Sequence, residues 1–232
     1  AALLNQINEE RNLHIITIEE PIEFVHQSKC SLIKQREVGT DTRSFAEALK
    51  RSLRHDPDVL MIGEMRDLTS TSIALQAAET GHLVFSSLHT STAPLAISRV
   101  VNIFPEYRRE GIRQQLASTI QAIVAQQILP RDDAEGLTPA VEVMLATPAT
   151  RNLIREGKEQ QIYNVMQTNR NIGMQTMDQA LADLVQQGQI SPEDALGHGI
   201  DKGELRRLLL NKSASVTAGS GNSMRDREFA RF

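Results

Sequence analysis

The sequence of 232 residues contains no tryptophan, a single cysteine and only 3% aromatic residues. With Cys30 alone, an internal disulfide and a zinc site built from paired cysteines are both excluded, and a reducing cytoplasm is the natural setting. A formal net charge of −4 gives no bulk attraction to nucleic acid or anionic lipid, and the scarce aromatics leave little for bases to stack on. No apolar run comes near the roughly 18 residues that a membrane span requires, which argues against an integral membrane protein. Also absent is G-x-x-x-x-G-K-S/T, the loop whose backbone N–H groups cradle a nucleotide's phosphates. The opening residues, AALLNQINEE, lack the basic stretch and cleavage signal of a targeting peptide. They start in mid-helix without methionine, so the chain reads as a fragment whose upstream part is missing.

What is present is enough apolar residue, 40%, for a core of one domain or a domain and a half. Leu3, Leu4 and Ile7 share one helical face, and LHIITI at 13–18 is a compact apolar strand rich in β-branched residues. Glu20-Pro21 breaks that strand, and residues 24–38 read as an excursion of one or two small strands. Ser44 is placed to cap a helix from about 45 to 54. A second strand is expected around VLMI at 59–62, then a helix closed by Gly81, then a third strand, LVFSSL, at 83–88. Strands alternating with helices predict a parallel α/β sheet. Ile112, Leu116, Ile120, Ile123, Val124 and Ile128 keep a helical period, which predicts one helix over 112–128. LTPAVEVML reads as a strand at an edge. Short helices are expected at about 150–156, 174–187, 192–197 and 203–210, with Ser191-Pro192-Glu193-Asp194 as a helix start. These features divide the chain into a core at 1–148, a helical subdomain at 149–212 and a flexible Ser/Gly-rich tail at 213–232.

Three apolar strands each run into a polar group at the carboxyl end: Glu19-Glu20, Gly63-Glu64 and His89. Ligands of open α/β sheets bind outside that edge, so the convergence fits a polyphosphate and its metal. Glu64 has two readings there: it holds magnesium or orients water, or it caps the strand by pairing with Arg66. His82 and His89 cannot share one ion, because seven extended residues cover roughly 23 Å and an odd offset puts the rings on opposite faces. The preferred role for His82 is a structural hydrogen bond, the alternative a contact to a neighbouring subunit. Arg36, Arg43, Lys50, Arg51, Arg54 and Arg66 form a basic cluster. Arg43 and Lys50 read as a solvated helix face, and Arg54 and Arg66 as phosphate contacts or as an arginine finger reaching a neighbour's nucleotide.

At these residues the chain resembles the secretion ATPase superfamily, in particular the PilT-type type IV pilus retraction ATPases. ITIEEPIEFVH resembles the aspartate box, DPDVLMIGEMRD the atypical Walker B and TGHLVFSSLHT the histidine box, and the likeness runs to about residue 212. It implies a RecA-like P-loop NTPase core with a small helical subdomain, preceded by a PAS-like domain and a Walker A loop upstream of Ala1. By the same resemblance Glu19 polarises water, Glu64 organises magnesium, and His82 and His89 are the histidine-box pair. The implied cofactors are ATP and Mg2+. The implied assembly is a cytoplasmic homohexamer at the inner-membrane pilus base, working on a platform protein, with neither nucleic acid nor membrane insertion. Glu20 stands where many members have Asp, Lys50 where Arg is common and Ser86-Ser87 where Gly-Thr is frequent. ATRNLIREGK at 149–158 resembles the retraction-type motif AIRNLIRE, with Thr150 in place of Ile, and one cysteine cannot supply the tetracysteine module of many extension and export members. The direction implied is retraction; the alternatives are pilus extension, type II secretion, or a ring module without chemistry.

Overall fold

The computed structural model describes residues 1–217, with side chains described to residue 210. In chain order the elements begin α1 (Ala2–Glu10), β1 (His14–Glu19), β2 (Leu32–Glu37), α2 (Phe45–Ser52), β3 (Val59–Glu64), α3 (Leu68–Glu79) and β4 (Leu83–Ser87). They continue α4 (Ala93–Asn102), α5 (Glu106–Thr119), β5 (Ala122–Pro130), β6 (Leu137–Leu145) and α6 (Pro148–Arg155). The remaining helices are α7 (Ile162–Thr168), α8 (Met177–Gln186), α9 (Pro192–His198) and α10 (Lys202–Thr217).

The chain gathers into two compact units. The first comprises Ala1–Thr90, Pro94–Gln121 and Ala146–Ile162; the second comprises Ser91–Ala93, Ala122–Leu145 and the described residues from Tyr163 onward. A division at residue 148 therefore does not coincide with the packing. β5 and β6 go with the C-terminal helices, because Leu129 and Ala140 of the ribbon are buried in one cluster with Met177, Leu181, Ile190 and Leu205. Of the expected tail at 213–232, residues 213–217 continue the backbone of α10, and the rest lies outside the described residues.

The first unit is built on a parallel sheet of order β2-β1-β3-β4. β1 is buried along almost its whole length, as expected of a central parallel strand covered on both faces. Ile18 and Ile62 pack with Ala48, Leu49 and Ala74 of α2 and α3, while Ile15 and Val59 pack with Leu4 of α1. The cap of α2 is Ser44, whose hydroxyl accepts the Glu47 N–H at 3.2 Å. That helix ends at Ser52 and tightens into a 3₁₀ turn at Leu53–His55, slightly shorter than the expected span to 54. In α6, Thr147 and Thr150 form a reciprocal capping box. Thr150 in the AIRNLIRE-like stretch thus satisfies the helix start, work an isoleucine side chain cannot do.

The helix expected over 112–128 is a correction. It stops at Thr119, and Ala122–Pro130 is a strand paired antiparallel with β6, from Ala122 opposite Leu145 to Pro130 opposite Leu137. Helical and alternating periods overlap over Ile120–Ile128, and the β-branched residues, with Pro130 closing the run, favour the extended form once β6 supplies a partner. The helix expected at 174–187 begins later, at Met177, because Gln175 is held in backbone exchange with Val143 and Thr176 caps the helix.

In the second unit the Glu142 side chain, 1% exposed, accepts the N–H of Ala93 at 2.7 Å and of Met177 at 3.2 Å. Burial pushes its carboxyl above the usual range; the two N–H groups pull down against this, and the nearby Asp178 charge adds to the rise. An acid raised in the folded state holds protons that the unfolded chain has released, so its contribution to stability falls as pH rises from the free-carboxyl value through the folded one. Glu142→Gln is expected to flatten that slope and to cost about 1–3 kcal/mol at neutral pH, since Ala93 and Met177 donate to different oxygens of the carboxylate and the amide would turn its NH2, a donor, toward one of them. Thermal unfolding of both proteins across pH checks it.

Candidate functional site

The carboxyl ends of β1, β3 and β4 lie side by side in the parallel sheet, with Ile18 opposite Ile62 and Glu64 opposite Ser87. The pairing of β3 with β4 shifts register between Ile62 and Glu64, so the strand is bent where its apolar run ends. Gly63 is favoured at that bend by space. A Cβ there would stand 3.3 Å from both the Glu19 Cα and the Ile18 carbonyl oxygen, in the backbone of the neighbouring strand. Glycine lets β3 pass this close to the residue that ends β1.

Glu64 is 8% exposed. Its Oε2 is engaged by the Arg66 Nε and lies 3.3 Å from the His89 Nε2. Arg66 also pairs with Glu20 at 3.5 Å. The four charged or titratable groups thus come from the ends of three strands and form one cluster. Burial pushes the Glu64 carboxyl up, but Arg66 and His89 together outweigh it and hold the group below the ordinary carboxylate value. Glu64 is therefore an anion at neutral pH, and both readings of it fit the geometry: its Oε2 pairs with Arg66, and the carboxylate stands at the strand end where a metal would be met. Asp67, just beyond, caps α3 by accepting the Ser70 N–H at 2.9 Å.

Glu19 is 7% exposed. Its Oε1 accepts the Thr17 hydroxyl at 2.6 Å and the Gln35 amide at 3.0 Å. Thr17 and Gln35 face each other in the β1–β2 register, so adjacent strands supply both donors. Sequence reading missed these two supports. The available signal was a polar Thr inside an otherwise apolar buried strand.

Other candidates are not brought to this cluster. Arg36 lies on β2 opposite Ile18, one step from Gln35, and so points to the other face of the sheet from it. Arg54 lies in the 3₁₀ turn before β3, at the amino end of the strand whose carboxyl end carries Glu64, and borders an open hollow with Glu47, Lys50 and Arg51. His82 stands before β4, at the end away from His89, with its Nδ1 3.0 Å from the Ala77 carbonyl and 3.1 Å from the Thr80 hydroxyl. A carbonyl only accepts, so that nitrogen carries the proton and the ring ties the α3–β4 turn together.

Residues 1–136 match the family described as Type II/IV secretion system protein. Over 195 residues the chain is 52% identical to the twitching motility protein of Neisseria gonorrhoeae, taking in 84% of this chain and 52% of that one. It is 49% identical to the type IV pilus retraction ATPase PilT of Pseudomonas aeruginosa, over 84% of this chain and 56% of the relative. A crystal structure of the pilus retraction motor PilT with bound ADP resembles it with a TM-score of 0.82 at 48% identity, over 89% of this chain and 58% of that one. The chain spans about half the length of the curated relatives it matches. With a matched segment that begins at residue 1 and contains all three strand ends just described, the chain belongs to the type II/IV secretion system protein family.

Proposed function

We propose that this chain is the catalytic half of a motor ATPase that drives type IV pilus retraction. The observation that carries the reading is the cluster of Glu64, Arg66, Glu20 and His89 beside the supported carboxylate of Glu19, at one edge of a parallel sheet. Glu19 orients the attacking water, and its buried, doubly supported oxygen fixes the direction in which the other oxygen can accept a proton. Glu64 is the acid for magnesium. Its Oε2 is already engaged by Arg66 and His89, and among the described residues no group of three or more His, Cys, Asp or Glu could hold a metal alone. The ion therefore fits through water and phosphate oxygens, as magnesium prefers. When bound, it neutralises charge on the β- and γ-phosphates of ATP. Arg66 supplies counter-charge at the same place, and His89 stands where it can meet the terminal phosphate. Arg36 and Arg54, being away from the cluster, are assigned to nucleotide held by a neighbouring subunit.

The assembly in this reading is a homohexameric ring on the cytoplasmic side of the inner membrane, where opening and closing of subunit interfaces work on a platform protein at the pilus base. Among the described residues no helix is long and apolar enough to cross a membrane. The AIRNLIRE-like α6 and the single cysteine support retraction over extension or type II secretion. A second reading is a ring or interaction module without chemistry. ATP hydrolysis by this chain, measured beside a version extended upstream through the adjoining coding sequence, separates the two. Turnover by the extended form alone is the expected result; a folded, assembled extended form that hydrolyses nothing would make the module reading the right one.

A further inference from the structure

The segment between β1 and β2 carries no helix or strand, and its residues 22–26 are held to the sheet by side chains of β2. The Ile22 N–H is accepted by Glu37 Oε2 at 3.1 Å, and the His26 N–H by Gln35 Oε1 at 2.7 Å. The Gln35 Nε2 donates both to the Phe24 carbonyl at 2.9 Å and to Glu19 Oε1 at 3.0 Å. One amide thus has its acceptor and both N–H groups occupied, two of the three by the loop and the third by the carboxylate.

This geometry constrains more than packing does. A terminal amide turns easily about its last torsion, and nothing intrinsic to glutamine chooses which way it faces. Here the His26 N–H demands the oxygen and the Phe24 carbonyl demands a proton, so the loop itself sets the amide plane. That plane aims the remaining proton at Glu19. If the loop moves away, the amide loses the partners that orient it, and Glu19 Oε1 retains only the Thr17 hydroxyl.

We propose that Gln35 is a positioning residue that couples the place of the 22–26 loop to the aim of the Glu19 carboxylate, so that displacing the loop turns the group that orients water. The inference rests on Glu19 having that role in the proposed function. The loop exposes Phe24 and Val25, 66% and 86% accessible, so its outer side is bare of partners within the described residues.

The test compares Gln35→Leu, Gln35→Glu, Thr17→Val and Glu19→Gln in the full-length protein, reading steady-state ATP hydrolysis and hydrogen exchange of the segment covering 20–27. Gln35→Leu is expected to lower kcat about tenfold or more with KM little changed, and to raise exchange in the loop by a similar factor, because bonds to a charged group and to two backbone groups are lost. Gln35→Glu keeps an acceptor for His26 and loses both donated bonds, so kcat falls while loop exchange rises less. Thr17→Val removes a donor to Glu19 that does not touch the loop, so kcat falls and loop exchange stays as in the parent. Wild-type kcat in both Gln35 variants, with Glu19→Gln inactive, overturns the coupling and leaves Glu19 in place. A Glu19→Gln protein that still turns over normally overturns the assignment of Glu19, and the coupling with it. Loop exchange unchanged in Gln35→Leu overturns the coupling from the other side, whatever happens to kcat.

Discussion

Glu64→Ala in the full-length protein is expected to reduce ATP hydrolysis by about 10²–10³-fold or more while the protein still folds, as removal of a preorganised charge from a reacting site does. The carboxylate is nearly buried and is held ionised by Arg66 and His89, as the proposed role toward magnesium requires. In the proposed function its loss removes the anion that would fix magnesium against the phosphates. Folding is affected far less. The partners left behind, Arg66 and His89, have side chains 61% and 74% accessible, so water replaces the lost pairs at little cost. Hydrolysis rate and thermal unfolding, measured together, separate these effects. Normal turnover by a well-folded Glu64→Ala protein would strike Glu64 from the catalytic list. The same ion pairs set a pH dependence: an acid depressed in the folded state contributes stability above its free value, and that contribution drains away as pH falls through the folded value.

Glu19→Gln is expected to lower kcat by about 10²–10⁴-fold, the range typical of losing a general base, with KM for ATP altered much less. The replacement keeps the size and shape of the side chain, and its carbonyl oxygen can still accept from Thr17 or Gln35. What disappears is the charge that, in the proposed function, draws a proton from water. The comparison is therefore sharper than an alanine variant, which would also leave the Thr17 hydroxyl and the Gln35 amide without their shared acceptor. Nucleotide binding by calorimetry, alongside single-turnover hydrolysis, distinguishes a lost base from a damaged pocket. A variant that binds and turns over normally would show that another group orients the water.

The strands carrying the site were legible because each is a short run that opens on apolar residues and stops at a charged or polar one. Burial along β1 and at Val59, Leu60 and Ile62 of β3 reproduces what that pattern predicts. Caps were legible too, since Ser44 and Ser191 accept N–H groups three residues on. β5 was misread for a physical reason: Ile120, Ile123, Val124 and Ile128 satisfy a helical period, and only the partner strand, supplied later in the chain, decides the matter. Glu142 was passed over although an acid at an inward-facing position of the alternating stretch AVEVML marks a buried side chain that must have partners. The neighbourhood of Glu64 could be guessed from strand ends alone. The separation of Arg54 from it was legible too, since that residue precedes β3 and so stands at the amino end; the place of Arg36 was not, because the pairing of β2 with β1 is set by the fold and not by either stretch alone.

The parallel register of β1 with β2 and β3 also constrains how the gene can change length. Adding or deleting one codon within β1 would let the backbone ladder re-form, yet every side chain beyond the change would trade faces, turning Glu19 away from Thr17 and Gln35. The stretch joining β2 to α2, around 38–44, carries no such alternation, and lengthening a connection costs only about 0.6 kcal/mol per doubling. Descendants of this sequence should therefore differ in length between the strands and agree in length along them.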